Sequence, residues 1–447
     1  MNTPANIVQP AIFPGMPRAH PLPFRVAADA VASHHQAVAF SVVTNIACMG
    51  MAGIASMLAA RLLGPQGRGQ FAAIMVWTSL ASALGDLGIS QSCSYYSARR
   101  PRETGAIAGT AVAFSLAAAA VLLLFLEPFG APLLGPEIAG AARIYFFSVP
   151  LSMGMTCLSS VLLGLGYFAR FNLIKTVQAA GYVAGIGSAW AAGSIHVGGV
   201  LKSMLLFQAV SGVVAIICSR AIIPFSAWRI SVVIARPLLS YGIRSYAGGL
   251  FWLANGRLDQ ALLVWLVPMQ QLGIYAVAVS YSGFQFGISG AVATVAFSRA
   301  ARADSGEATR QELWRGMKLY AVLTLPLAAA MVWLCRYAIT TVYGVAFADA
   351  CRPACILLLG GLFLGANYVS SNCLRADGRP GAPVLAEAAG LAVTVAALPW
   401  ALPRWGITGA AWVSVASYAA TAAALAALWM VRAQSLRRNR PAAGVWT

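Results

Sequence analysis

The sequence predicts an all-α integral membrane protein of about twelve transmembrane helices, built as two six-helix lobes with both termini cytoplasmic. Three observations carry this reading. The composition is apolar and poor in charge, apolar runs of about twenty residues recur along the chain, and basic residues gather in alternate loops.

Composition excludes a soluble fold. Hydrophobic residues make up 60% of the chain and charged residues 9%, whereas a soluble domain has roughly a quarter of its residues charged. Too little polar material remains to face water, so most of the surface faces lipid. The formal net charge of +18 could point to nucleic acid, but basic cytoplasmic loops account for it, and no nucleic-acid partner is expected. Cys351 and Cys355 lie one turn apart, but among the eight Cys and four His no second ligand pair of suitable spacing accompanies them, so neither a metal nor a cofactor is expected.

Taken in order, residues 1–36 are polar and Pro-rich and read as a disordered cytoplasmic tail. The first apolar run is too long for a secretory signal and lacks a cleavage site, so it reads as a retained span. Spans are expected near 37–60, 70–97, 105–126, 141–164, 171–192 and 198–219, and then near 238–267, 271–297, 316–336, 352–374, 382–402 and 406–431. Each is long enough for a hydrocarbon core of about 30 Å. Segment 127–140, with Pro128, Pro132 and Pro136, reads as a short extramembrane turn, and 298–315 as the longest loop. The lobes then occupy 37–220 and 238–431, joined by a cytoplasmic linker at 221–237 and followed by a basic tail at 432–447.

Alternation of charge sets the expected orientation. With the N-terminus inside, 21 basic residues fall on inner segments and 7 on outer ones (Arg61, Arg68, Arg143, Lys202, Arg336, Arg352 and Arg404), as the positive-inside rule requires. No loop is long enough to hold a folded catalytic domain, and the chain has no phosphate-binding loop of the Gly-x-x-x-x-Gly-Lys type.

The halves echo each other. Pro65 and Gly69 follow the first span, and Pro268 and Gly273 stand at the junction of the seventh and eighth. Ser159-Ser160 answers Ser370-Ser371, and Ala179-Ala180-Gly181 answers Ala388-Ala389-Gly390. Six spans is an even number, so the halves form a parallel repeat about an axis along the membrane normal, an architecture suited to a transporter with a central cavity.

The Arg61–Gly69 stretch, the Ala-Leu-Gly-Asp86-Leu-Gly88 segment and the Arg257-Leu-Asp259-Gln run followed by Leu-Gly-Ile-Tyr-Ala276 resemble the polysaccharide-transporter, or Wzx-like oligosaccharide flippase, family. That family belongs to the superfamily of multidrug and toxin extruders and lipid II flippases. The resemblance covers most of 37–431. It implies a V-shaped bundle opening alternately to each side, and a cargo of undecaprenyl-pyrophosphate-linked oligosaccharide moved to the periplasmic leaflet of a bacterial inner membrane. Membrane lipid, a polysaccharide polymerase and export machinery are the partners it implies. Lipid II flippases carry two further helices that form a lipid groove. This chain has no room for them, which favours surface or exopolysaccharide as the cargo.

Charged groups at membrane depth cost about 2.5–3.5 kcal/mol each on insertion scales and mark functional positions. Span seven is the richest. At 100° per residue Arg244, Asn255 and Asp259 share one face and Arg257 points nearly opposite. Either face could line the cavity; Arg257 could instead pair with Asp86 of span two. A guanidinium matches phosphate oxygens in a dry site, so Arg244 and Arg257 are the candidate pyrophosphate ligands. Asp86 is a candidate cation site or an interlobe hydrogen bonder. Asn45, Gln285 and Asn367 are candidates for sugar hydroxyls, and Glu387 reads as solvated. Two other functions compete: a cation-coupled small-molecule exporter of the same fold, and a membrane polymerase or ligase, which would need larger outer loops.

Overall fold

The computed structural model describes residues 27–438 except Asp304 and Pro380. In lipid every backbone N–H and C=O must find its partner within the chain, and the described residues answer that demand with helices joined by short connections and no strand. The run Ala27–Asp86 breaks at Gly64 (φ 66°, ψ 180°), where Pro65 also removes a donor, giving helices α1 and α2; α2 resumes after a second break as Ile89–Arg99. Next come α3 (Thr104–Phe125), α4 (Pro136–Phe146 continuing as Ser148–Gly164), α5 (Phe168–Ala191) and α6 (Val197–Arg220). The second lobe comprises α7 (Val232–Leu266), α8 (Met269–Ser282 bending through Gly283–Gln285 into Phe286–Ala300), α9 (Gly306–Val342) and α10 (Cys351–Ala376). Gly381–Arg438, broken at Gly406, supplies α11 and α12.

By length and composition, 7 helical stretches qualify as membrane spans. Two of them, Val43–Asp86 and Gly381–Gln434, are bent pairs. The three other helices fall short for physical reasons: α5 carries Arg170 and Lys175, α7 carries four charged residues over Arg236–Asp259, and α8 is split into two short pieces. Twelve helices result among the described residues, and the chain is a multi-pass membrane protein.

Three expectations require correction. The helical chain begins at Ala27, ten residues inside the segment read as disordered; residues 1–26 lie outside the described residues. Segment 127–140 is largely helical, because Pro132 and Pro136 stand in first turns, where a missing N–H costs nothing. Most of 298–315 is also helical: Ser305 accepts from Ala308 N at 3.2 Å, and α9 starts at Gly306. Its charged first turns extend past the apolar run that marked the span.

The lobes meet where α2 crosses α8 and where α1 runs beside α8. Gly69 and Gly273 face each other there: a Cβ on Gly69 would fall on the Met269 carbonyl oxygen, and one on Gly273 on the Pro65 carbonyl oxygen. The two halves of the sequence repeat thus pack on one another. Ser56 donates to Ser280 at 3.0 Å just beyond. At the opposite, basic end Tyr95 of α2 stacks on Tyr241 of α7 with centroids 4.2 Å apart.

Gly273→Ala should weaken the folded, closed protein by about 1–3 kcal/mol through overpacking, seen as a lower melting temperature in detergent. Gly140→Ala, which meets nothing within 4 Å, should leave it unchanged.

Candidate functional site

The two sides of α7 carry different chemistry, and the helices around it decide which is which. Asn255 and Asp259 point into the second lobe and are buried. Asn255 Nδ2 donates to Glu387 Oε2 of α11 at 2.9 Å, and Asn255 Oδ1 accepts from Ser417 Oγ of α12 at 2.6 Å. Asp259 accepts from Tyr275 OH at 2.6 Å, Ser414 Oγ at 3.1 Å and the Gln260 amide at 2.7 Å. These are the interhelical bonds that satisfy polar groups at membrane depth. Glu387, read as solvated, is buried at 5% exposure because Asn255 draws its carboxylate inward.

Arg257 faces the other way and is exposed into a cavity of ≈340 Å³ lined by α7, α8, α10 and α12. Trp252, Ser280, Gln285, Phe286 and Tyr418 also line it, and Asp259 reaches its lining from the buried side of α7. The pairing with Asp86 does not form: the Asp86 carboxylate accepts from Ser90 Oγ at 2.8 Å and Ser90 N at 3.3 Å, serving the helix that restarts at Ile89. Arg244 is exposed nearer the basic end.

One residue of this site was hidden in the sequence. Arg68, counted there among outer-loop charges, is buried at 7% exposure in the seam. Its Nη2 donates to Ser56 Oγ at 3.2 Å and to Ser280 Oγ at 3.4 Å, and Ser280 also lines the Arg257 cavity. Arg68 Nε has no hydrogen-bond partner. Among the described residues neither Arg68 nor Arg257 lies within ion-pair distance of a carboxylate. The signal that could have found it is its position inside the repeated Pro–Gly motif.

The cavity also holds unsatisfied uncharged groups. Trp252 Nε1 and Gln285 Oε1 are buried without partners, although Gln285 Nε2 donates to Leu358 O at 2.8 Å. Trp252, Phe286 and Tyr368 form an aromatic cluster with centroids 5.4–6.2 Å apart. Two candidates fall elsewhere. Asn45 is exposed on α1 and accepts from Lys175 Nζ. Asn367 is buried and donates to Tyr418 O at 2.8 Å.

An aromatic-walled cavity with Arg257 in its lining, and Arg68 held at the seam against Ser280, suits an anionic, hydroxyl-rich solute. The model of the polysaccharide biosynthesis protein family matches residues 58–352. The chain belongs to this family. Among solved structures it is similar to the lipid II flippase MurJ in an inward closed conformation, at 15% identity over 88% of this chain and 87% of that one, with a TM-score of 0.75. An inward-facing multidrug resistance transporter of the MATE family, in the MOP superfamily, aligns at 15% identity over 89% of this chain and 96% of that one, with a TM-score of 0.68. The eukaryotic MATE transporter AtDTX14 aligns at 14% identity over 88% of this chain and 94% of that one, with a TM-score of 0.66. No curated protein matches the chain. At such identities the likeness is one of fold, and the fold of this family member is that of transporters and flippases.

Asn255→Leu should leave the Glu387 carboxylate and the Ser417 hydroxyl without their partner and cost about 1–3 kcal/mol, read as a fall in melting temperature in detergent.

Proposed function

We propose that the protein is a flippase carrying undecaprenyl-pyrophosphate-linked oligosaccharide from the cytoplasmic to the periplasmic leaflet of a bacterial inner membrane, for exopolysaccharide or surface polysaccharide synthesis. The observation that supports this best is the pair Arg257 and Arg68, one from each lobe, neither within ion-pair distance of a carboxylate among the described residues. A guanidinium in a dry site is costly unless an anion completes it, and pyrophosphate oxygens fit its planar fork. The aromatic cluster and the free Gln285 and Trp252 groups are suited to sugar faces and hydroxyls.

In this reading the basic end and both termini face the cytoplasm. The headgroup enters the cavity while the polyprenyl chain stays in lipid. Arg244 meets the pyrophosphate near the basic end, and Arg257 and Arg68 hold it deeper. Parting of the α2–α8 seam then releases the headgroup outward. A membrane potential negative inside favours outward movement of the anion by about 2.3 kcal/mol per net charge per 100 mV. No covalent step is required, and the protein acts without a cofactor.

One observation favours a second reading. Asp259 and Glu387 are carboxylates buried in the second lobe, as a cation-coupled exporter of small molecules would need.

Arg257→Ala and Arg68→Ala should each cut the appearance of lipid-linked oligosaccharide in the outer leaflet by tenfold or more (about 1.4 kcal/mol or more of lost anion binding), with normal membrane insertion. An impermeant glycan label on spheroplasts reads this. Unimpaired labelling together with lost drug efflux would favour the exporter.

A further inference from the structure

The flanks of the two lobes differ. In the first lobe the chain leaving α6 turns back at once and lies between α3 and α6. Gly105 and Gly109 of α3 sit directly against the backbone of Ala227 and Arg229. The Thr110 hydroxyl accepts from Ser231 N at 3.0 Å, and Trp228 packs against the buried cluster of Met155, Leu158, Ala215 and Cys218, as do Val112 and Val214. That cleft is filled by the protein itself.

The offset relating Ser159-Ser160 to Ser370-Ser371 also relates Val214, Ala215 and Cys218 to Leu425, Ala426 and Trp429. These latter residues line an open cleft of ≈270 Å³ with Leu313, Met317 and Ala366. Helix α10 packs against α9 and against the α11–α12 unit, while α9 scarcely touches that unit, so the trench between them stays open. Its polar floor is already satisfied: Asn367 donates to Tyr418 O, and Ser370 Oγ accepts from Trp429 Nε1 at 3.0 Å. What remains is an apolar trench with Arg310 and Trp314 in its lining at the basic end.

The charges around that mouth leave Arg310 available. Its contact with Glu307 is 3.8 Å between exposed groups, which is a weak pair. Glu312 is held by Arg315, and Arg432 is held by Asp377 at 2.8 Å. The chain's own tail is a poor occupant. Helix α12 runs straight on to Arg438, and Arg437, Arg438 and Arg440 would bring like charge to Arg310. Basic pockets between transmembrane helices instead suit lipid phosphates.

We propose that this trench binds an anionic diacyl phospholipid of the surrounding bilayer, its phosphate at Arg310 and an acyl chain along α9 and α12. The full-length protein, purified in mild detergent and offered phosphatidylglycerol or phosphatidylcholine, is read by native mass spectrometry. The wild type should retain phosphatidylglycerol in preference, Arg310→Gln should reduce that preference about fivefold (the weight of one basic contact), and Ala426→Leu, which fills the trench, should abolish retention. Equal retention of both lipids by the wild type, or unchanged retention by both variants, overturns the proposal. So does a chain ending at Arg438 that binds many-fold more lipid, since the tail would then be the natural occupant.

Discussion

The architecture depends on one close approach between backbones. Gly69 and Gly273 let α2 and α8 cross with each helix resting on the other's carbonyl, and no side chain fits between them. Helices in lipid gain little from hydrophobic burial, because the tails are as apolar as the side chains. Close packing of small residues therefore carries the association. The crossing brings Ser56 against Ser280 and buries Arg68 at the seam. Ser280, bonded to Arg68, carries the seam to the edge of the Arg257 cavity.

From that constraint follows the division of labour on α7. A helix with four charged residues cannot face lipid on every side, so its polar groups must be consumed or given a purpose. Asn255 and Asp259 are consumed by hydroxyls on α8 and α12 and by the Glu387 carboxylate on α11. Arg257 is left for the cavity. The second lobe thus carries these networks beside the cavity, and the first lobe places Arg68 at the seam against Ser280.

Much of this was legible in the sequence. Twelve helices could be counted because each apolar run is close to a bilayer thickness, and the Pro–Gly repeat pointed to the residues that make the seam. The failures share a cause. Segments 127–140 and 298–315 were read as loops because proline and charge mark boundaries in composition, whereas helices tolerate both in their first turns. Periodicity grouped Asn255 with Asp259 but could not say which side of α7 they occupied, since Ser414, Ser417 and Glu387 lie far away in the chain. Arg68 was assigned to water because it stands four residues past the break at Gly64; only the folded seam shows that it is enclosed.

The most direct test is a reversible lock on the seam. Ser56 and Ser280, whose hydroxyl oxygens are 3.0 Å apart, would both be changed to Cys in a background free of the eight native Cys. Translocation of lipid-linked oligosaccharide would then be measured before oxidation, after it, and after reduction. The account predicts that the crosslink stops translocation and that reduction restores it. Undiminished translocation by the fully crosslinked protein would contradict it.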